Sequence, residues 1–255
     1  MKKVMLVVFL VVVSLAFSSL LEDIRSRGVL RVGQDAGYMP LYGTDPDGKR
    51  IGLEVEILKE MASILGVKLE FVIVNWDGII PALVSNKFDI IWSGMTITPE
   101  RALKVNFSDP YLTVGQTILY NTKKFSTPPT LEDINTKETK IAVQLGTTGA
   151  EAANRLLTKA QIFTFETTDE AGFQVASGRA DAMIFDSIYA KFVAKKYEQL
   201  DVTDELLTME NLGVAIPKGD FETLQWLNTF IQWLKTTEKI TELEQYWFVE
   251  YAPEF

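Results

Sequence analysis

The 255-residue chain contains neither cysteine nor histidine. Without cysteine there can be no disulfide and no lipid-modified cysteine to anchor the chain to a membrane. Losing both residue types also removes the commonest transition-metal ligands and nucleophile–imidazole pairs. Neither a metal centre, a cofactor nor a histidine-based catalytic site is therefore expected. Positive charge is scarce as well: 25 Lys and Arg face 34 Asp and Glu, a net charge of −9. That balance argues against nucleic acid and anionic membrane surfaces as partners. Long apolar runs are lacking except at residues 4–17, which follow Lys2 and Lys3 and lead through small residues to Glu22-Asp23. A basic start, a short apolar stretch and a small-residue exit describe a secretory signal peptide. We expect residues 1–18 to be that peptide, cleaved after Ala16 or Ser18, because a membrane span needs about 20 apolar residues; an uncleaved N-terminal anchor is the alternative. Loss of Lys2 and Lys3 makes the mature chain two charges more negative. An exported, unanchored protein would diffuse away from a cell without an outer membrane, so the periplasm is the expected compartment.

The remaining length suits one large domain or two lobes of roughly 100–120 residues. Over 29–114 short apolar runs alternate with amphipathic stretches. Residues 29–32 and 67–74 read as strands, 54–65 as a helix stopped by Gly66, 76–85 as a helix and 89–92 as a buried strand. The G-T-D-P-D-G run at 43–48 reads as a hairpin tip. After the loop F-S-T-P-P-T at 125–130 a second such cadence begins. It predicts strands at 140–144, 161–165, 180–185 and 211–217. Helices are predicted at 149–157, 169–177, 186–197, 221–235 and 238–248. Alternation of this kind implies α/β architecture with mostly parallel sheets flanked by helices.

One segment carries a charge where helix physics disfavours it. In Gly94-Met95-Thr96-Ile97-Thr98-Pro99-Glu100-Arg101, Thr98 reads as an N-cap and Pro99 as the first helical residue. Arg101 then lies in the first turn, where the helix dipole disfavours a cation by about 0.3–1 kcal/mol. A bound anion held by Arg101, the Thr96 hydroxyl and free N–H groups would reverse that sign. A surface ion pair with Glu100 or another acid would also explain it, and the segment alone leaves both readings open.

Further patterns occur in order along the chain: Val32-Gly33 with Asp35, Tyr38 and Pro40; Gly52-Leu53-Glu54-Val55-Glu56; and Trp76-Asp77-Gly78 running to Leu83. They continue with Phe107-Ser108-Asp109-Pro110-Tyr111, Val143-Gln144 running to Gly149, Gly178-Arg179-Ala180-Asp181-Ala182 with Asp186, and Gly213 running to Gly219. With the Gly94–Arg101 segment, they make the chain resemble the polar amino-acid-binding extracellular solute-binding proteins, family 3, of ATP-driven (ABC) importers. The resemblance spans almost the whole mature chain.

The resemblance implies a type II periplasmic-binding-protein clamshell. Lobe 1 would be residues 19–111 plus 211–255 and lobe 2 residues 115–208, with hinges near 112–115 and 209–211. It also implies a site for an amino acid. Arg101 and Thr96 would hold the α-carboxylate, joined by backbone N–H groups of the turn Gly146-Thr147-Thr148-Gly149. The Gly94 carbonyl and Asp186 would take the α-ammonium. Tyr38 and Trp76 would sandwich the side chain, with Asp35 and Gln144 at its far end. Each has a plainer role: a capping turn for Thr147 and Thr148, an N-cap for Asp186, packing for the rings and a loop acid for Asp35. Two positions depart from the family pattern: Trp92 is bulkier than an aliphatic residue, suiting sheet–helix packing or a narrowed pocket, and Phe185 is apolar.

Together these features predict a monomeric, non-enzymatic binding component for a polar, basic L-amino acid of the arginine or lysine type, working with ABC transporter membrane subunits. A glutamine-type ligand is the nearest alternative. A cyclohexadienyl or arogenate dehydratase on the same fold is the rival enzyme, and a sensor acting on a membrane partner is a third reading. Glu54 and Glu56 sit two apart and should diverge, while Asp201, Asp204, Glu205 and Lys195-Lys196 read as solvated faces.

Overall fold

The computed structural model describes residues 19–251, so the expected signal peptide lies outside the described residues. The first helix, Leu20–Arg27, is not foreseen from sequence because the apolar leader runs into it and it buries only Ile24. Its ends follow the helix dipole, with Ser19 capping, Glu22 and Asp23 in the first turn and Arg25 and Arg27 in the last.

The first sheet runs in the order Lys68–Ile73, Val29–Gln34, Ile90–Ile91, Ala215–Ile216, Asn106–Phe107. The first three strands are parallel; Ala215 pairs antiparallel with both Ile91 and Phe107. Helix Leu53–Leu65 makes the crossover between the first two parallel strands and buries Leu53, Val55, Ile57, Leu58 and Met61. The predicted helix over 76–85 starts instead as a 3₁₀ turn, Trp76–Gly78, before becoming α-helical at Ile79–Val84. That turn places Trp76 at the sheet's edge, facing the cleft.

The second sheet has the order Gln161–Phe165, Lys140–Gln144, Ala182–Asp186, Gln116–Asn121, Leu200–Val202. Helices Thr148–Leu156, Thr168–Ala176 and Ser187–Lys196 flank it. Strand Gln116–Asn121 is buried at every position. Sequence does not betray it, because Gln116, Thr117 and Asn121 interrupt the apolar run with buried polar side chains. A short capped helix, Leu131–Ile134, also follows the F-S-T-P-P-T loop.

The chain crosses between the sheets twice, on the antiparallel pair Leu112–Val114 and Glu210–Leu212. The predicted strand over 211–217 is therefore two strands, one in the crossing and one, Ala215–Ile216, in the first sheet. Helices Phe221–Thr236 and Lys239–Glu244 pack on the first lobe. Leu20 N donates to Asp220 Oδ2 at 2.6 Å, and Lys239 pairs with Glu60 at 2.8 Å. A π-helical turn, Gln245–Glu250, carries Tyr251 across to stack on Phe192 of the second lobe at 6.5 Å. The result is a two-lobed clamshell with its lobes in contact. No helix among the described residues is long and apolar enough to cross a membrane.

Candidate functional site

The Thr98 hydroxyl caps its helix by accepting from Arg101 N at 3.2 Å, with Pro99 at the first helical position. This fixes the Arg101 Cα so that the side chain crosses the cleft. Arg101 Nη1 donates to the Thr96 carbonyl at 2.9 Å and Nη2 to the Gly146 carbonyl at 3.2 Å. Its guanidinium also lies 5.3 Å from the Trp76 ring centroid. Among the described residues Arg101 joins no ion pair. The surface pair with Glu100 is thus not formed. Burial lowers the Arg101 pKa from its ordinary value, partly offset by the fields of Glu151, Glu210 and Asp186. A desolvated guanidinium satisfied only by carbonyls is set to take a carboxylate.

Across the cleft, Gly146 adopts a left-handed φ of 73° and the chain turns into helix Thr148–Leu156. The Thr147 hydroxyl caps that helix, accepting from Ala150 N at 3.1 Å while donating to the Gln144 carbonyl at 2.8 Å. The Trp76 indole N–H donates to the Gly146 carbonyl at 2.9 Å, tying the lobes together.

Asp186 ends strand Ala182–Asp186 but does not cap the following helix with its side chain. Its carboxylate instead accepts from the Tyr38 hydroxyl of the other lobe and from Gln116 Nε2 at 2.5 Å. Burial, reinforced by the Glu210 carboxylate, pushes the Asp186 pKa up to about 7, against the pull of Tyr38, Arg101 and Gln116. Gly94 sits nearby at φ 57°, where an added Cβ would lie 2.7 Å from the Tyr38 ring. Behind it the fully buried Glu54 accepts from Gly94 N at 2.9 Å and from the Tyr111 hydroxyl, and burial lifts its pKa to about 7. Glu56 diverges, pairing with Lys59 at the surface.

At the other end Asp35 accepts from Gln144 Nε2 at 2.8 Å, Tyr42 Oη at 3.2 Å and Gly37 N at 3.0 Å. The Thr168 hydroxyl donates to Gln144 Oε1 at 2.6 Å and fixes the amide so that its NH₂ faces Asp35. Burial raises the Asp35 pKa. Tyr38 packs edge-on against Phe185, ring centroids 5.3 Å apart.

All the residues singled out from sequence (Asp35, Tyr38, Trp76, Gly94, Thr96, Arg101, Gln144, Thr147, Thr148 and Asp186) line one tightly closed cavity of about 20 Å³. Tyr42, Ser93, Gln116 and Phe185 complete its wall. Of these, only Phe185 drew notice in the sequence. Gln116 carries the signal of a polar residue directly after the crossing strand, and Tyr42 and Ser93 stand beside residues already named. Trp92 is outside the lining: it is fully buried against Tyr111 and Phe230, at 5.3 and 6.3 Å. It packs between sheet and helix and does not narrow the cavity.

The fold and its cleft have close parallels. An ancestral amino-acid-binding protein, described as a precursor of cyclohexadienyl dehydratase, is 48% identical with a TM-score of 0.84, covering 91% of this chain and all of that one. A putative ABC-transporter binding component from Wolinella succinogenes, solved with lysine, is 42% identical with a TM-score of 0.83, covering 88% and 97%. The L-cystine-binding protein of Escherichia coli is 31% identical over 96% of this chain and 92% of its own length. The profile of the bacterial extracellular solute-binding proteins, family 3, matches residues 30–250, and the chain belongs to that family.

Proposed function

We propose that the protein is the periplasmic substrate-binding component of an ABC amino-acid importer and that its ligand is a basic L-amino acid of the arginine or lysine type. One observation carries this reading: a single cavity sets the unpaired Arg101 guanidinium against two buried carboxylates, Asp186 and Asp35. With both acids ionised, these three groups sum to one negative charge. A zwitterion with a cationic side chain carries one positive charge, so the two match. The α-carboxylate would sit on Arg101 and the N–H groups at the start of helix Thr148–Leu156. Asp186 and the Gly94 carbonyl would receive the α-ammonium. The stem would lie along Trp76 and Tyr38, its cationic head meeting Asp35 and Gln144. The lysine-bound relative supports the same class of ligand.

In this reading the protein is a monomer whose leader, residues 1–18, is removed on export. Its lobes, 19–111 plus 211–255 and 115–208, close about hinges near 112–115 and 209–211. Ligand bound to one lobe favours the closed form by its extra affinity there, and importer membrane subunits read the closed pair. A micromolar dissociation constant corresponds to about 8 kcal/mol, within reach of two charged contacts and a stacked stem. Calorimetric titration with L-arginine, L-lysine, L-glutamine, L-histidine and L-cystine tests it. The basic pair should bind tightest, and a clear preference for glutamine or cystine would overturn the ligand class.

A second reading rests on Asp186, whose pKa of about 7 leaves it substantially protonated near neutrality and so fit to act as a general acid. One structural relative, itself an amino-acid-binding protein, is described as a precursor of cyclohexadienyl dehydratase. Phenylpyruvate from prephenate, or phenylalanine from arogenate, appearing at an enzyme-dependent rate would favour it over transport.

A further inference from the structure

Glu210 belongs to none of the roles above, yet it is the best-connected carboxylate near the site. It begins the crossing strand Glu210–Leu212 and is 8% exposed. Its Oε2 accepts from the Thr96 hydroxyl at 2.8 Å and from the Thr148 hydroxyl at 2.6 Å. Its Oε1 accepts from Gln116 Nε2 at 3.1 Å and from the Thr208 hydroxyl at 3.0 Å. Among the described residues no Lys or Arg pairs with it. The two threonines come from opposite lobes, and their oxygens stand 3.4 Å apart with Glu210 bridging them. Glu210 therefore staples the closed lobes from the hinge side, between the ligand cavity and an outer groove that it lines with Arg155.

A hydroxyl has one proton to give. While Thr96 and Thr148 donate to Glu210, neither can donate to a carboxylate in the cavity, although both side chains line it. A ligand carboxylate that takes these protons must displace Glu210, and one that does not must rely on Arg101 and backbone N–H groups while facing a nearby negative charge. In either case Glu210 opposes the carboxylate end of the ligand directly and reaches the ammonium end only through Asp186, with which it shares Gln116 Nε2.

We propose that Glu210 is an internal competitor of the ligand's α-carboxylate: a hinge carboxylate that occupies the Thr96 and Thr148 hydroxyls and so weakens and tunes binding, and that by bridging them also favours closure without ligand. The ligand half of this inference rests on the amino-acid-binding reading above; the closure half does not. Glu210 is a positioning residue in this scheme, acting through the two hydroxyls.

The test uses the mature protein and two variants, Glu210→Gln, which keeps the shape and removes the charge, and Glu210→Ala, with circular dichroism to verify folding. L-Arginine and agmatine, which lacks the α-carboxylate, are titrated calorimetrically. The expected result for Glu210→Gln is at least threefold tighter L-arginine binding with no gain for agmatine. Unchanged or weaker arginine binding, or an equal gain for both ligands, would overturn the proposal. Small-angle scattering without added ligand supplies the second arm. Glu210→Ala should have a larger radius of gyration than wild type, and an unchanged radius overturns the closure half. Should wild type bind neither probe, the functional reading falls and the scattering result still decides whether Glu210 staples the lobes. If Glu210→Ala does not fold, the same scattering comparison is made on Glu210→Gln, with the same two outcomes.

Discussion

At the scale of single residues, the site is built from charges whose ordinary partners have been withheld. Arg101 is held by two carbonyls and a ring, with no carboxylate within ion-pair distance among the described residues. Arg101→Ala should weaken binding of a basic amino acid at least tenfold, about 1.4 kcal/mol, with folding retained. Arg101→Lys should recover little of this, because an ammonium cannot make the paired contact of a guanidinium. Asp186→Ala should cost a comparable amount by calorimetry, as it removes the proposed acceptor of the ligand's ammonium. Gly94→Ala places a Cβ against the Tyr38 ring at a left-handed φ that costs an ordinary residue about 1–2 kcal/mol. Its melting temperature should fall by about 2–8 °C, and binding should weaken because Tyr38 is pushed from Asp186.

Titration at the same residues gives a pH dependence with a definite sign. Asp186 is raised to about 7 in the folded protein by burial and the Glu210 carboxylate, so near pH 7 part of the population is protonated. A ligand ammonium favours the ionised form, so binding should release protons and affinity should rise between pH 6 and pH 8. Calorimetry in buffers of different ionisation enthalpy measures that release, and Asp186→Asn should abolish it. Folding stability runs the other way. Asp186 and Glu54 hold protons more firmly folded than unfolded. Their contribution is full below the ordinary carboxyl pKa and is lost as pH rises through about 7. Glu54→Gln should flatten that slope in denaturant titrations across pH 4–8.

At the scale of elements, short pieces of structure aim long side chains. The four-residue helix Pro99–Ala102 would be marginal alone, and the Thr98 cap holds its first turn, including the backbone N–H of Arg101. Thr98→Ala should cost about 1 kcal/mol of stability. It should also weaken ligand binding severalfold, yet add little in a protein already carrying Arg101→Ala, a non-additivity that a double-mutant cycle reads. The element scale is also where sequence legibility divides. Helix Leu53–Leu65 is readable because one periodic apolar face decides it, and strands Lys140–Gln144 and Gln161–Phe165 because each is a short run rich in apolar and β-branched residues. Strand Gln116–Asn121 is not, because Gln116 Nε2, the Thr117 hydroxyl and the Asn121 amide are buried on partners 54 to 94 residues away. The same holds at the site. Residues within local patterns, from Gly94 to Arg101 and from Gln144 to Thr148, are visible in sequence. Glu210 is not, since its meaning lies in hydroxyls brought from two lobes.

At the scale of the molecule, closure is written in polar contacts that cross the cleft. Gln144 reaches Asp35 at 2.8 Å, Trp76 reaches Gly146 at 2.9 Å, and Tyr38 meets Asp186. Buried polar groups in such a cleft must find partners on the facing lobe or on a ligand, since leaving one unmet costs about 1–3 kcal/mol. In the proposed reading a ligand that satisfies both ends at once, carboxylate and cationic head, gains most from the closed arrangement, which would favour a basic amino acid over a neutral one. The most direct measurement is calorimetric titration of L-arginine and L-lysine into the mature wild-type protein at pH 7.5. The account predicts one site per chain with a dissociation constant of about 1 μM or below for at least one of the two, some 8 kcal/mol. Absence of binding by either up to millimolar concentration would contradict it.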